Sequence, residues 1–193
     1  MFKKFKQTNF YRTIYTFVQM YIIDNLRPIF KKECKEKQVV IKDRYGNKGK
    51  YLLRVSEGKE GPSFFIKNYV GVGDAHILVN DSGCEFLINV FDKNNYNKHI
   101  GTTLMNAVIE WASKHKVDYI YGTLATIDKE KNNWEHSLPF YLGLEKKIPK
   151  IKGTFLLPYE PDFLKDKNTI IQNAVDIDFI KSSNSGYIVF TLS

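Results

Sequence analysis

A strand-like segment, a polar turn, a helix and a second strand follow one another between residues 84 and 124. Apolar side chains alternate along residues 84–91, as they do in a half-buried β-strand. Residues 100–115 place their apolar side chains on one helical face: Ile100, Leu104, Ala107, Val108, Trp111 and Ala112. The run at 118–124 follows this helix closely enough for a crossover back to the same sheet. The unit therefore predicts two parallel strands joined by a helix.

Short strands separated by turns flank this unit on both sides. Residues 39–41 and 51–55 surround the turn Tyr45-Gly46-Asn47 and predict a β-hairpin. Further strands are expected at 64–66, 75–79, 153–157 and 187–192, with some helix around 170–180. We therefore expect one mixed α/β domain that spans residues 1–193.

The N-terminal third carries all the excess positive charge. Residues 1–60 hold 15 basic and 6 acidic side chains, whereas the whole chain has a net charge of +8. Residues 9–27 predict an amphipathic helix, and residues 1–37 as a whole predict a basic helical extension within the domain. We favour packing of this helix on the sheet over binding to a membrane surface. The charge indicates either an acidic or nucleic-acid partner or a lysine-rich solvated surface.

Several classes of protein and site lack support in the sequence. No stretch reaches the roughly 18–20 apolar residues of a membrane span, and the N-terminus lacks the pattern of a signal peptide. Cys34 and Cys84 lack the spacing of a zinc site or a disulfide framework. The histidines at 76, 115 and 136 are isolated along the chain, so no metal site is expected. We expect a cytoplasmic protein.

The junction 97–103 is the candidate binding site. The first amides of a helix lack internal acceptors and carry partial positive charge, so they suit a pyrophosphate group. Gly101 allows a ligand to approach the backbone closely. The hydroxyls of Thr102 and Thr103 add hydrogen-bond donors, and Lys98 adds charge.

The segment 84–148 resembles the GNAT superfamily of acyl-CoA-dependent N-acyltransferases. The family's pyrophosphate loop, Arg/Gln-x-x-Gly-x-Gly/Ala, is similar to 96–101, with Tyr96 in place of Arg or Gln and His99 in place of the first Gly. A second motif of the family comes later in its sequences. A shortened stretch of this chain resembles that motif, with the residues Asn133, Ser137, Phe140, Tyr141, Gly143 and Leu144. The resemblance implies a GNAT-like fold, with a single mixed, mostly antiparallel sheet flanked by helices.

The resemblance also implies an N-acetyltransferase that transfers the acetyl group of acetyl-CoA directly to a primary amine of a small molecule or peptide. A backbone N–H at Val90 or Phe91 would polarise the thioester, Glu85 would act as base, and Tyr141 would protonate the CoA thiolate. The implied cofactor-binding residues are Val90, Phe91, Asn97, Lys98, His99, Ile100, Gly101, Thr102, Thr103, Asn133 and Ser137.

Two alternatives stay open at the level of sequence. His99 and the shortened motif around Tyr141 fit a catalytically silent member of the same fold that acts through a partner. The basic N-terminal third fits a nucleic-acid-binding protein, with the aromatic residues of 10–17 as stacking groups. An exposed aromatic N-terminal helix would also fit a homodimer.

Overall fold

Eight strands form one sheet in the computed structural model, which describes residues 34–80, 83–124, 134–157, 164, 166–183 and 185–193. The strands are β1 (Cys34–Lys42), β2 (Lys48–Glu57), β3 (Pro62–Lys67), β4 (Gly71–Asn80), β5 (Gly83–Val90), β6 (Tyr119–Leu124), β7 (Ile151–Leu156) and β8 (Gly186–Leu192). The helices are α1 (Ile100–Lys114), α2 (Trp134–Leu142), α3 (Leu144–Lys147), α4 (Lys167–Gln172) and α5 (Ile177–Ser183). A short 3-10 turn, Lys93–Asn95, precedes α1.

The sheet has the order β1-β2-β3-β4-β5-β6-β8-β7. All neighbouring strands are antiparallel except β5 and β6, which are parallel and joined through α1. The predicted single mixed, mostly antiparallel sheet flanked by helices is therefore confirmed. Its first five strands follow one another as a meander, in which each strand pairs with the next.

The N-terminal predictions fall mostly outside the described residues. The predicted helix 9–27 is not among them, so its existence and its packing stay predictions. The predicted helical extension 1–37 is wrong at its last four residues, because β1 already begins at Cys34. Residues 34–37 pair in register with β2, and cross-strand hydrogen bonding takes the place of the expected helix there.

The predicted hairpin is confirmed by the pairing of β1 with β2, in which Val39 lies opposite Tyr51. Asp43 organises the turn because its carboxylate accepts hydrogen bonds from the amides of Tyr45 and Asn47, each at 2.8 Å. Gly46 has a φ of +91°, a left-handed conformation that glycine adopts without steric cost. This turn lies beside the candidate loop, since the Arg44 amide reaches the Asn97 carbonyl at 3.4 Å.

The core lies between α1 and one face of the sheet, which we call the helix face. Helix α1 contacts β3, β4 and β5, and the side chains of Ile100, Leu104 and Val108 are almost completely buried. Met105 and Ile109 are also buried, whereas Trp111, which the periodicity assigned to the apolar stripe, is only half-buried. The sheet contributes a matching set of buried residues: Leu53, Phe64, Ile66, Ala75, Ile77 and Phe86.

Successive side chains of a strand point to opposite sides of a sheet, so the intervening residues form an opposite face. On β3, β4 and β5 this opposite face carries Ser63, Phe65, Asp74, His76, Leu78, Glu85, Leu87 and Asn89. All of these side chains are half-buried or exposed. In the C-terminal half of the sheet, the opposite face packs instead on Leu164 and on Ile170 of α4.

The late elements agree with the sequence patterns. Strands β7 and β8 occupy the two predicted late strand regions, and α4 and α5 account for the helix expected around 170–180. Helix α4 begins at Asp166, whose carboxylate accepts from the amides of Asn168 and Thr169. In the described part of the chain, none of the helices has the length and apolar character needed to cross a bilayer.

Candidate functional site

Strands β5 and β6 diverge after one registered pair, Glu85 with Tyr121. Within the described residues, positions 86–90 have no registered partner on β6, although they pair fully with β4 on the other side. A gap between two parallel strands leaves backbone groups free to meet a ligand. The carboxyl end of β5, the loop that follows it and the start of α1 meet at this gap.

The orientation of the backbone decides which amide faces the gap. The N–H of Phe91 donates to the carbonyl oxygen of Val72 at 2.9 Å, so it points toward β4. N–H groups alternate in direction along an antiparallel strand, and the Val90 N–H therefore points toward β6. Of the two amides expected to polarise a thioester, Phe91 is engaged in the sheet, and Val90 is the one that can serve.

The loop between β5 and α1 has an unusual backbone. Asn97 and His99 have φ angles of 62° and 58°, and Lys98 between them is not left-handed. Alternation of left- and right-handed residues turns successive N–H groups toward one concave site, a nest that binds anions. His99 is the N-cap of α1 and makes no side-chain capping hydrogen bond. The first amides of α1 follow directly after these residues, and their role as ligands of a pyrophosphate stays a prediction.

The side chains of this loop differ in what they offer a ligand. Lys98 is half-buried, and its Nζ lies 3.3 Å from Oδ1 of Asn95. The Thr103 hydroxyl donates to the carbonyl oxygen of His99 at 2.9 Å, so it is not the free donor that the sequence suggested. The hydroxyl of Thr102 makes no hydrogen bond to the described part of the chain. Helix α1 has no acidic residue in its first turn.

Gly101 is explained by packing rather than by the approach of a ligand. A Cβ atom built there would lie 3.1 Å from two carbons of the Phe140 ring and 3.7 Å from a methyl of Val90. Helix α2 therefore lies directly against the start of α1. The rings of Tyr96 and His136 add a second contact between the loop and α2, with centroids 5.4 Å apart. These contacts hold α2 beside the nest.

Tyr141 lies on the helix face, close to the gap. Its ring is 6.0 Å from that of Phe86 in an edge-to-face arrangement and 6.3 Å from that of Phe190. Ser137, one turn earlier on α2, is half-buried. Asn133 lies outside the described residues, so its predicted role stays a prediction. The structure thus brings Val90, the nest and Tyr141 to one side of the sheet.

Glu85 lies on the other side. Phe86 faces Tyr141, so its neighbour Glu85 points to the opposite face. The Glu85 carboxylate accepts a hydrogen bond from the Thr123 hydroxyl at 2.6 Å. Burial raises the pKa of Tyr121, the hydrogen bond from Asn80 opposes the increase, and the nearby Glu85 charge adds to it. The two predicted catalytic residues can therefore act on one molecule only if it passes through the gap.

A second polar cluster on the opposite face was missed by the sequence patterns, which treated His76 as isolated. Nδ1 of His76 lies 2.9 Å from the Ser63 hydroxyl, and Nε2 lies 3.5 Å from a carboxylate oxygen of Asp74. Asn89 donates to the other Asp74 oxygen at 3.0 Å. The alternate spacing of Asp74 and His76 is visible in the sequence, but Ser63 joins them only through the register of β3 with β4.

No family model matches the chain, and no curated protein matches it. Among solved structures, the chain is similar to diaminobutyrate acetyltransferase EctA from Paenibacillus lautus, in complex with L-2,4-diaminobutyric acid and coenzyme A. The identity is 12%, the alignment covers 67% of this chain and 69% of that chain, and the TM-score is 0.43.

The chain is also similar to a protein of Bacillus anthracis str. Ames assigned as a streptothricin acetyltransferase, in complex with acetyl coenzyme A. Here the identity is 11%, the coverage 83% of this chain and 86% of that chain, and the TM-score 0.43. For nourseothricin acetyltransferase the identity is 9%, with the same coverages and a TM-score of 0.38. At these values the similarities assign no function to this chain.

Proposed function

We propose that the protein is an N-acetyltransferase that transfers an acetyl group from acetyl-CoA to a primary amine. The observation that carries the proposal is the meeting of an anion-binding nest with a gap between two parallel strands. A nest at 97–100 suits a pyrophosphate, and a gap beside Val90 suits an extended chain that carries a thioester. This combination agrees with the GNAT resemblance of the sequence.

The chemistry of the loop fits the phosphate groups of acetyl-CoA. Amides of the nest and of the first turn of α1 are donors, and Lys98 contributes a positive charge. The hydroxyl of Thr102, which makes no hydrogen bond to the described residues, is a further donor. Gly101 contributes indirectly, because it allows Phe140 to hold α2 against the loop.

The remaining predicted residues supply the chemistry of transfer. The Val90 amide would donate a hydrogen bond to the thioester carbonyl and stabilise the oxyanion that forms when the amine attacks. Tyr141 would protonate the CoA thiolate as it departs. Glu85 would take the proton of the amine from the other side of the gap. Direct transfer of this kind needs no covalent enzyme intermediate.

Calorimetric titration with acetyl-CoA, with free CoA and adenosine alongside, tests the proposed donor site. We expect micromolar binding of acetyl-CoA and CoA and much weaker binding of adenosine, because most contacts are with phosphate. Thr102→Glu should abolish the binding, since its carboxylate would face the pyrophosphate. A carboxylate in the first turn of a helix is favourable for the helix itself, so this variant should remain folded.

Asn106→Glu is the matched control, because it introduces the same charge at an exposed position one turn further along α1. It should bind acetyl-CoA as the wild type does. Failure of the wild-type protein to bind at millimolar acetyl-CoA would refute the donor site and favour a catalytically silent fold. Equal losses in the two variants would mean that general charge, and not the nest, determines affinity.

The role of Tyr141 is tested separately once an acceptor is found. Tyr141→Phe removes the proposed proton donor and little surface, so kcat should fall by roughly 10²-fold or more while the affinity for acetyl-CoA stays within about twofold. An unchanged kcat would exclude Tyr141 from the mechanism. Stability should be compared by urea unfolding, because Tyr141 also packs against Phe86 and Phe190.

A further inference from the structure

The hairpin of β1 and β2 carries a group of lysines on one side of the sheet. Ile41 is buried in the core on the helix face, so the neighbouring Lys42 points to the opposite face. Lys48 pairs directly with Lys42, and Lys50 pairs with Val40, so both lysines share that face. All three lysines are exposed. The end of the hairpin therefore presents three positive charges close together.

The described part of the chain does not neutralise these charges. None of the three lysines forms an ion pair with a described residue. Asp43 is the one acidic residue between positions 42 and 50, and its carboxylate accepts hydrogen bonds within the turn, including one from the Asn47 side chain at 3.0 Å. Like charges directly opposite each other on neighbouring strands destabilise a sheet. The pairing of Lys42 with Lys48 is therefore unfavourable for the fold, and an anionic partner would remove the repulsion.

Two exposed tyrosines lie on either side of the lysines. Tyr45 lies in the hairpin turn and is 72% exposed, and Tyr69 lies in the turn after β3 and is 80% exposed. The register of β2 with β3 places the turn that carries Tyr69 beside Lys50. The guanidinium carbon of Arg44 lies 4.6 Å from the centre of the Tyr45 ring, on one side of it. Both rings therefore offer an aromatic surface to a ligand that meets the lysines.

Lysines between exposed aromatic rings fit the chemistry of a single-stranded nucleic acid. Lys48 and Lys50 are about 7 Å apart along β2, close to the spacing of successive phosphates in an extended single strand. The bases of such a strand present flat faces on which aromatic side chains stack. A peptide rich in carboxylates would engage the lysines but not the rings. The combination of charge and rings therefore favours a nucleic acid over an acidic protein.

We propose that a surface formed by the hairpin and the turn after β3 binds a single-stranded nucleic acid, with lysines on its phosphates and tyrosines against its bases. This hairpin surface consists of Lys42, Tyr45, Lys48, Lys50 and Tyr69. The binding does not depend on the function proposed above. The surface nevertheless adjoins the candidate loop, since the amide of Arg44 reaches the carbonyl oxygen of Asn97 at 3.4 Å. A bound strand would therefore lie beside the proposed donor site.

Fluorescence anisotropy with a labelled oligouridylate of about twelve nucleotides tests the proposal. We expect saturable binding, and a plot of log affinity against log salt concentration should have a slope of about −2 for three phosphate contacts. Lys48→Gln combined with Lys50→Gln should change the slope to about −0.7, because two of the contacts are lost. Tyr69→Ala should weaken binding about tenfold and leave the slope unchanged, because stacking releases no counterions.

Lys146→Gln combined with Lys147→Gln is the matched control, because it removes the same charge from two exposed positions on α3. Helix α3 packs against β7, at the other edge of the sheet from β1. The control should bind the oligouridylate with the affinity and the salt slope of the wild type. Urea unfolding should show that Lys48→Gln alone keeps or raises the stability, because it removes the repulsion with Lys42.

Binding of either the oligouridylate or an oligothymidylate of the same length supports the proposal, and the tighter of the two ligands shows whether RNA or DNA is preferred. The proposal is overturned if wild-type protein binds neither at about 50 mM salt, where phosphate contacts are strong. It is also overturned if the lysine and tyrosine variants bind as well as the control. Equal affinity of the wild type for polyglutamate of the same charge, or for phosphatidylserine vesicles, would overturn it by assigning the surface to a protein or a membrane.

Calorimetry with acetyl-CoA separates this proposal from the proposed function. The variant with Lys48→Gln and Lys50→Gln should bind acetyl-CoA as the wild type does. An equal loss of affinity for acetyl-CoA and for the oligonucleotide would assign the hairpin surface to the nucleotide part of CoA and overturn the proposal. If wild-type protein binds acetyl-CoA but neither oligonucleotide, the nucleic-acid proposal fails alone. If it binds an oligonucleotide but not acetyl-CoA, only the donor site fails.

Discussion

Three residues around the candidate loop adopt left-handed backbone conformations although none is a glycine. Asp92, Asn97 and His99 have φ angles of 66°, 62° and 58°. Asparagine and aspartate tolerate this region, but for histidine the conformation costs on the order of 1 kcal/mol. Strain of this kind persists at functional sites, where the surrounding structure enforces it. His99 stands where the GNAT loop has glycine, and its φ shows why glycine suits that position.

His99→Gly should therefore relieve strain and improve the nest. We expect the free energy of unfolding to rise by up to about 1 kcal/mol and the affinity for acetyl-CoA to stay equal or increase. Urea unfolding and calorimetry measure the two effects. His115→Gly is the matched control: His115 ends α1 with a φ of −93°, so glycine there should destabilise the protein. Equal destabilisation by both substitutions would contradict the strain argument.

The raised pKa of His76 makes stability depend on pH. Because the folded protein holds the imidazole proton more tightly than the unfolded chain, the contribution of His76 is fully present below the unfolded pKa and is lost as pH rises through the folded pKa. The stability difference between wild type and His76→Gln should thus be larger at pH of about 5.5 than at about 8.5, on either side of the ordinary value of about 6.5. Urea unfolding at both pH values measures it.

Asp74→Asn should remove most of that difference, since Asp74 provides the first and the third of the causes that shift the His76 pKa. The stability difference between wild type and His76→Gln would contradict this assignment if it grew with pH. It would also do so if the His76→Gln substitution had the same effect in Asp74→Asn protein, because a group other than Asp74 would then dominate the pH dependence.

Helix α1 is the element that connects the core to the site. Its apolar stripe is buried against β3, β4 and β5, while its first turn faces the candidate nest. The same rigid element thus anchors the loop on one side and packs against Phe140 on the other. Damage to the stripe should therefore reduce stability, and it should reduce binding only through loss of the folded state.

Leu104→Ala tests this division. Leu104 is fully buried, so the cavity should cost about 2–5 kcal/mol of unfolding free energy. Asn106→Ala on the exposed side of the same helix should be neutral or slightly stabilising, because alanine has the higher helix propensity. Urea unfolding compares the stability of the two variants. Calorimetry measures the acetyl-CoA affinity of the fraction of each variant that is folded. If Leu104→Ala lost less unfolding free energy than Asn106→Ala, the assignment of Leu104 to the core would be contradicted.

At the scale of the whole molecule, a single sheet separates two chemical environments. The nest, Tyr141 and the amide of Val90 meet on or near the helix face, whereas Ser63, His76 and Glu85 lie on the opposite face. Of these three residues, only Glu85 lies on β5, whereas His76 and Ser63 lie one and two strands away from it. In the proposed mechanism, the groups assigned to the donor and the carboxylate of Glu85 would therefore act from different sides of the sheet.

If acetyl-CoA occupies the proposed donor site, it should stabilise the whole fold, because a ligand that binds the native state and not the unfolded chain shifts the equilibrium toward the native state. At a concentration of about 100 times Kd, the free energy of unfolding should rise by about 2.7 kcal/mol, and Tm should rise by several degrees. Thermal unfolding with and without acetyl-CoA measures the shift. Adenosine at the same concentration and Thr102→Glu protein should show little change; a similar shift in Thr102→Glu would place the ligand elsewhere.

Local patterns in the sequence determined the elements of this protein. Short apolar runs between turns predicted most of the strands, although β1 begins earlier than expected, and alternation predicted β5. The 3.6-residue period predicted α1 almost to its ends, because it reflects which side of the helix is buried. The loop 97–103 was also found locally, since a helix start exposes its own amides. These features depend on neighbours within a few positions of the chain.

Only the tertiary structure decided which side chains meet. The resemblance to the GNAT superfamily implies one mechanism for Glu85 and Tyr141, but strand alternation and the contact with Phe86 put them on opposite faces. Position 101 has little room for a side chain because the ring of Phe140, about forty positions away, lies against it. Ser63 reaches His76 through the register of two strands, which depends on the turn that joins them and on which side of both strands is buried in the folded sheet.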